Sequence, residues 1–187
     1  MATLEQVKRR QQIQLAEGYL ELAELFADSW PLDGNQRKIL AERAIQALSQ
    51  VQNPLGYKPH IYYLKGQAHR IAGRLNLARR CFLKSSRLDP DNLHCLLALA
   101  WCYKRTEELD KAIEAMIIGL RLEPESAITH YNLACYSSLA KDTERALVHL
   151  AIALDLNPEY LKLMQNEPDF DPIRELPRFQ ELLQVHA

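Results

Sequence analysis

The side chains with reactive potential are four cysteines, Cys81, Cys95, Cys102 and Cys135, and six histidines, at 60, 69, 94, 130, 149 and 186. Tetrahedral metal sites draw on closely spaced Cys and His pairs. No C-x-x-C pair is present, and His94 and Cys95 point to different sides of any helix, so with Cys102 they form no ligand set. There is no Gly-rich phosphate loop and no H-E-x-x-H. No histidine has a serine or cysteine partner at a recognisable spacing. The sequence therefore assigns no catalytic residue, no metal and no cofactor, and the cysteines read as small buried hydrophobes. The remaining chemistry is recognition. Aromatic rings anchor interfaces, and Lys or Arg takes a carboxylate or phosphate.

The elements that position these groups follow a fixed period. Pro90, Pro124 and Pro158 are spaced by 34 residues, each after a similar lead-in: Arg87-Leu88-Asp89, Arg121-Leu122-Glu123 and Asp155-Leu156-Asn157. Twelve residues before each proline stands Ala78, Ala112 or Ala146. Eight before stands Phe82, Met116 or Leu150, and twenty-four before stands Gly66, Ala100 or Ala134. Within each unit, apolar residues recur at three- and four-residue steps, the mark of two amphipathic helices. In the middle unit Leu96, Leu99, Ala100 and Tyr103 form one stripe; Ile113, Met116, Ile117 and Leu120 form the other. The small residues permit close helix crossings. Proline ends the second helix by disfavouring helical geometry at the residue before it. Asp91, Asn92, Glu125 and Ser126 then suit the next helix start.

This 34-residue pattern of small, large and proline residues resembles the tetratricopeptide repeat family. The resemblance implies an all-α fold, a right-handed α-solenoid, or superhelix, of helical hairpins. Regular repeats are expected at 59–92, 93–126 and 127–160 of a single domain. Residues 1–58 read as an N-terminal helix plus a degenerate first repeat. Thr3 and Gln6 suit a capping box on a helix over 3–28, with Leu4, Val7, Ile13, Leu15, Leu20, Leu22, Leu25 and Phe26 as its apolar content. Residues 28–35 are turn chemistry. A second helix at about 36–52 carries Ile39, Leu40, Ala44, Leu48 and Val51 on one side. Residues 161–187 depart from the period. Leu161–Met164 starts like a helix, and Asp171-Pro172 and Leu176-Pro177 each look like a helix start. Phe170, Ile173, Leu176, Phe179, Leu182 and Leu183 could cover the last repeat, as solenoid ends require. Asp169–Pro172 with Pro177–Phe179 looks similar to the closing segment of bacterial arrays of this family.

In this family, partners lie in a concave groove lined by the first helix of each unit. The residues expected there are His60, Tyr63, Gln67 and Arg70; His94, Leu97, Trp101, Lys104 and Arg105; and Tyr131, Cys135 and Ser138. The expected partner is a protein or peptide segment with apolar anchors and some acidic character. Trp101 reads equally as binding or packing; Tyr63 and Tyr131 lean to binding. The subgroup that clamps heat-shock chaperone tails places Lys and Asn at set positions. Here Tyr63, Gln67, Ala98, Ile128 and Asn132 stand there, so that partner is disfavoured.

Composition sets further bounds. The 187 residues are 48% hydrophobic with net charge -1, giving no bulk drive towards nucleic acid or membrane. No apolar run is long enough to span a bilayer, and the first residues lack a signal core, so a cytoplasmic setting is expected. Charge is nevertheless uneven. From Arg43 to Leu88 there is no acidic residue, whereas Asp155, Glu159, Glu167, Asp169, Asp171 and Glu175 cluster late. The basic stretch reads as a solvated outer face, a site for an acidic partner or RNA, or one half of a head-to-tail homo-oligomer. A non-enzymatic adaptor is the favoured function. The alternatives are a chaperone, since class II secretion chaperones have a similar plan, and RNA binding. RNA is disfavoured because Tyr63, Leu97 and Tyr131 form no base-reading code.

Overall fold

The structure is a computed structural model that describes residues 3–25, 32–52, 54 and 56–185. Among these residues every regular element is helical. The chain divides into two compact units, residues 1–98 and 99–187, and the division falls within one helix.

In the first unit, α1 (Leu4–Leu25) packs along α2 (Gly34–Ser49), and α3 (Lys58–Ile71) along α4 (Leu75–Leu88); α5 (Leu93–Arg105) begins here. Thr3 and Gln6 do form the expected capping box: Thr3 N donates to Gln6 Oε1 at 2.8 Å and Gln6 N to Thr3 Oγ1 at 3.2 Å. Asp33 and Gln36 form a second box on α2. Residues 26–31 lie outside the described residues, and with them Phe26 and most of the expected link. The apolar content of α1 is divided differently from expectation. Ile13, Ala16, Leu20 and Ala23 are buried, whereas Leu4, Val7, Leu15 and Leu22 are exposed, as is Ile39 on α2. The reason is geometric. One helical stripe at three- and four-residue steps meets the alanines 41, 44 and 47 of α2, and residues off that stripe face outward.

The second unit holds the rest of α5, then α6 (Leu109–Leu122), α7 (Ala127–Leu139), α8 (Thr143–Leu156), α9 (Tyr160–Asn166), a 3-10 turn (Pro168–Phe170) and α10 (Pro177–Val185). Residues 171–175 are turns, so Asp171-Pro172 does not open a helix; Leu176-Pro177 does. Each residue before a periodic proline leaves the helical region: Asp89 at φ -142°, ψ 82°, Glu123 at -131°, 86° and Asn157 at -150°, 99°. This is the clash-avoiding geometry that stops the second helix of every hairpin. The hairpin turns repeat too. Gly73, Glu107 and Lys141, again 34 apart, all have positive φ, between 61° and 75°. At the next helix start Asn92 Oδ1 accepts from Cys95 N at 2.9 Å. Ser126 instead pairs its hydroxyl with that of Thr129.

The small–large pairing is size-matched. Phe82, Met116 and Leu150 are fully buried. A Cβ added to Gly66 would lie within 2.6 Å of Phe82 Cδ1, so the largest of the three large residues requires the smallest of the small ones. Gly66→Ala is expected to cost about 1–3 kcal/mol by overpacking, read as a lower urea midpoint. Phe82→Leu in the same chain should recover part of it.

No described helix is long and apolar enough to cross a membrane.

Candidate functional site

In the first unit, the face of α3 is tied to α1. His60 Nε2 lies 2.6 Å from Glu17 Oε1, and the Arg70 guanidinium pairs with Glu24. Arg70 Nε donates to Gln67 Oε1 at 2.7 Å, and Gln67 Nε2 donates to Tyr63 Oη at 2.8 Å. The His60 and Tyr63 rings stack at 6.5 Å. Sequence reading missed Glu17 and Glu24. Their seven-residue spacing places both on one side of α1, and that spacing was the available signal. His94, on α5, is exposed and Leu97 half-buried.

The second unit presents Trp101, Lys104 and Arg105 from α5. Trp101 is half-buried, and the Arg105 guanidinium sits 5.8 Å from its ring centroid, within cation–π range. Lys104 forms an ion pair with Asp169. Tyr131, Cys135 and Ser138 of α7 do not line an open groove. They are buried, because the chain's own segment after α9 lies over α7. Tyr160 stacks on Tyr131 at 4.6 Å, and Phe170 meets the same ring edge-on at 5.7 Å. Phe170, Ile173 and Phe179 are buried there, as capping requires, while Leu176 stays exposed. Arg174 pins the segment, donating to the carbonyls of Gln165 and Glu167 at 2.7 Å each and to the Asp171 carboxylate at 2.9 Å.

Cys135 Sγ and carboxylate oxygens of Glu167 and Asp169 lie within 4.8 Å of one another. One thiol and two carboxylates could ligate a cation. However, the Lys104 ammonium already meets Asp169. Burial, then the charges of Asp169 and Glu167, push the Cys135 thiol well above its usual range. Burial acts likewise on the Tyr131 phenol. Such a thiol is a packing group rather than a ligand or nucleophile.

A histidine pair lies on the hairpin of α7 and α8. His130 Nδ1 is 2.8 Å from His149 Nδ1, and His130 Nε2 is 2.9 Å from the Pro124 carbonyl oxygen. With His130 donating to that carbonyl through Nε2, its Nδ1 accepts the His149 proton. Burial, then His130 and Arg145, lower the His149 pKa. The unfolded chain therefore takes up a proton that the fold resists. This penalty is absent well above the ordinary histidine value and grows as pH falls below it. Thermal melts should show a lower Tm at about pH 5.5 than at about pH 7.5, with a smaller drop in His149→Gln. His69, lowered by burial and then by Arg74, acts in the same direction.

Of the residues expected in a groove, His94 is exposed and Leu97 half-buried in the first unit, while in the second Trp101 is half-buried and Arg105 exposed.

Residues 59–92 match the family model described as tetratricopeptide repeat. No curated protein matches the sequence. Solved structures do resemble the fold. One is YrrB, described as a TPR protein with an unusual peptide-binding site. It is 18% identical with a TM-score of 0.58, over 80% of this chain and 73% of that one. Another is MamA from residue 41 onward, from Desulfovibrio magneticus RS-1. It is 20% identical with a TM-score of 0.58, over 85% of this chain and 98% of that one. A further MamA crystal structure is 15% identical with a TM-score of 0.56, over 87% and 99%. At these identities the likeness concerns the fold: an all-α solenoid of helical hairpins.

Proposed function

We propose that this chain, a tetratricopeptide repeat protein, is a non-enzymatic adaptor whose first-helix faces hold a segment of another protein. The observation carrying this reading is the capture of residues 167–170 on α7. An aromatic anchor, Phe170, enters beside Tyr131, and a carboxylate, Asp169, meets Lys104. The chain's own first-helix surface therefore already accommodates an apolar anchor with an acidic neighbour, the chemistry expected of the partner. For a partner in trans, the favoured residues are Trp101 and Arg105 in the second unit and, in the first, Tyr63, Gln67, Arg70, His94 and Leu97. Aromatic and Arg side chains carry a disproportionate share of interface energy. The peptide-binding description of YrrB agrees in kind. The setting we propose is cytoplasmic, in keeping with four cysteines outside any disulfide.

The test is a photo-crosslinker at exposed His94, with a control at exposed Glu114 on α6, both in cell extract. A discrete protein adduct from His94 only, lost in Trp101→Ala, is expected. No adduct, or the same adducts from both positions, would overturn the reading.

A further inference from the structure

Charge is partitioned between the units. Residues 1–98 hold fourteen Lys and Arg against nine Asp and Glu, net +5; residues 99–187 hold nine against fifteen, net -6. Internal pairing shows where the unmatched charges lie. In the first unit four of the five carboxylates of α1 and α2 are engaged internally: Glu5 by Arg9, Glu17 by His60, Glu24 by Arg70 and Glu42 by Arg74. Among the described residues Lys58, Lys65, Arg80, Lys84 and Arg87 make no ion pair with a carboxylate. Arg80, Lys84 and Arg87 are exposed and lie at four- and three-residue steps along α4, which makes them one stripe. The Lys84 ammonium rests 5.2 Å from the Tyr62 ring centroid. Beside Tyr62 opens a cleft of about 200 Å3, floored by Leu48, Val51 and Ile61 and rimmed by Lys58 and Lys65.

The second unit shows the converse. Lys104, Lys111, Arg145, Lys162, Arg174 and Arg178 each pair with a carboxylate of their own unit. Glu175 and Glu181, flanking and on α10, are exposed and have no described cation partner. Between α8 and α10 runs an open apolar groove that includes Leu147, Ala151, Leu182 and the strongly exposed Val148 and Val185, at 50% and 77%. Exposed apolar surface rimmed by charge marks an interaction site.

We propose that copies of this chain associate head to tail: the α10 edge of one copy, with Glu175, Glu181 and Val185, docks on the basic face of the next at Lys58, Lys65 and the α4 stripe. The occupant is a second copy because one molecule carries both complementary halves: an apolar-floored cationic cleft, and an apolar edge lined by Glu181 and by Arg178, the latter already paired with Glu144, with Glu175 just ahead of α10. Opposed surplus charge speeds encounter and fixes register, while the apolar contact holds the pair. Such a contact joins two different patches of the chain, one from each unit.

The experiment is sedimentation velocity on the full chain, with two charge-reversed variants. One carries Arg80→Glu, Lys84→Glu and Arg87→Glu; the other carries Glu175→Lys and Glu181→Lys. All these sites are exposed, so both variants are expected to fold, which circular dichroism checks. The unaltered chain should sediment as concentration-dependent oligomers at low salt and as monomer at about 0.5 M NaCl, where screening is strong. Each variant alone should be monomeric, because like charges then meet. Their equimolar mixture should associate again, since every junction is once more complementary. A monomeric unaltered chain at low salt, or variants that still self-associate, would overturn the proposal. A mixture that stays monomeric would overturn it too, as would a chain that binds an RNA oligomer while remaining monomeric.

Discussion

Phe170→Ala should lower the free energy of unfolding by about 3–5 kcal/mol, the usual cost of truncating a fully buried aromatic. Phe170 is 0% exposed and touches both the Tyr131 and Phe179 rings. Its removal takes away burial and leaves a cavity against α7 that Arg174, fixed by backbone carbonyls, cannot fill. Urea denaturation measures the loss. A second readout is local. Cys135 is 2% exposed and should be inert to a thiol reagent in the unaltered chain. In Phe170→Ala it should react, because the segment above it loosens. Phe170→Leu should retain most of the stability and the protection. An unchanged midpoint together with an unreactive Cys135 would mean that residues 167–170 do not seal this face.

Lys104→Ala is expected to cost about 2–4 kcal/mol. Breaking a buried ion pair by deleting one member strands the other charge, at about 3–5 kcal/mol. The side chains here are 24% and 11% exposed, so water recovers part of that. The stranded group is Asp169, which sits near Glu167 and Cys135 in a region already rich in acidic groups. Lys104→Met with Asp169→Asn removes both charges together and should be markedly more stable than Lys104→Ala. With the singles Lys104→Met and Asp169→Asn the cycle closes, and the double variant should lose less than the sum of the two, the shortfall being the coupling. Additive losses in the cycle would show that the two side chains do not act as a pair.

Both predictions concern a face that the sequence assigned to a partner. Lys104, Tyr131, Cys135 and Ser138 were legible as a first-helix set because the 34-residue period gives each position its place on a helix. Their occupant was not legible. Asp169 is 65 residues from Lys104, and nothing in the period links residues beyond 160 to α7. The sequence suggested that Phe170, Ile173 and Phe179 cover the last repeat, but not that the segment does so over α7, the helix expected to face a partner. The same holds in the first unit, where Arg70 was recognised as a cation but its tie to Glu24, 46 residues earlier, was not.

Within residues 59–160 the sequence by itself determined the helices, their ends and their pairing into hairpins, because these depend on local rules; outside the period it did not, as the turns at 171–175 show. Proline keeps the preceding residue out of the helical region, and a small residue admits a large one across a crossing. The hairpin turns at Gly73, Glu107 and Lys141 follow the same repeat even where glycine is absent. Only the tertiary structure decided which groove residues are taken up within the chain, which stay exposed on α5, and which charges remain unmatched in each unit. Those outcomes depend on side chains far apart in sequence meeting in space, and a repeat pattern carries no term for contacts that do not repeat.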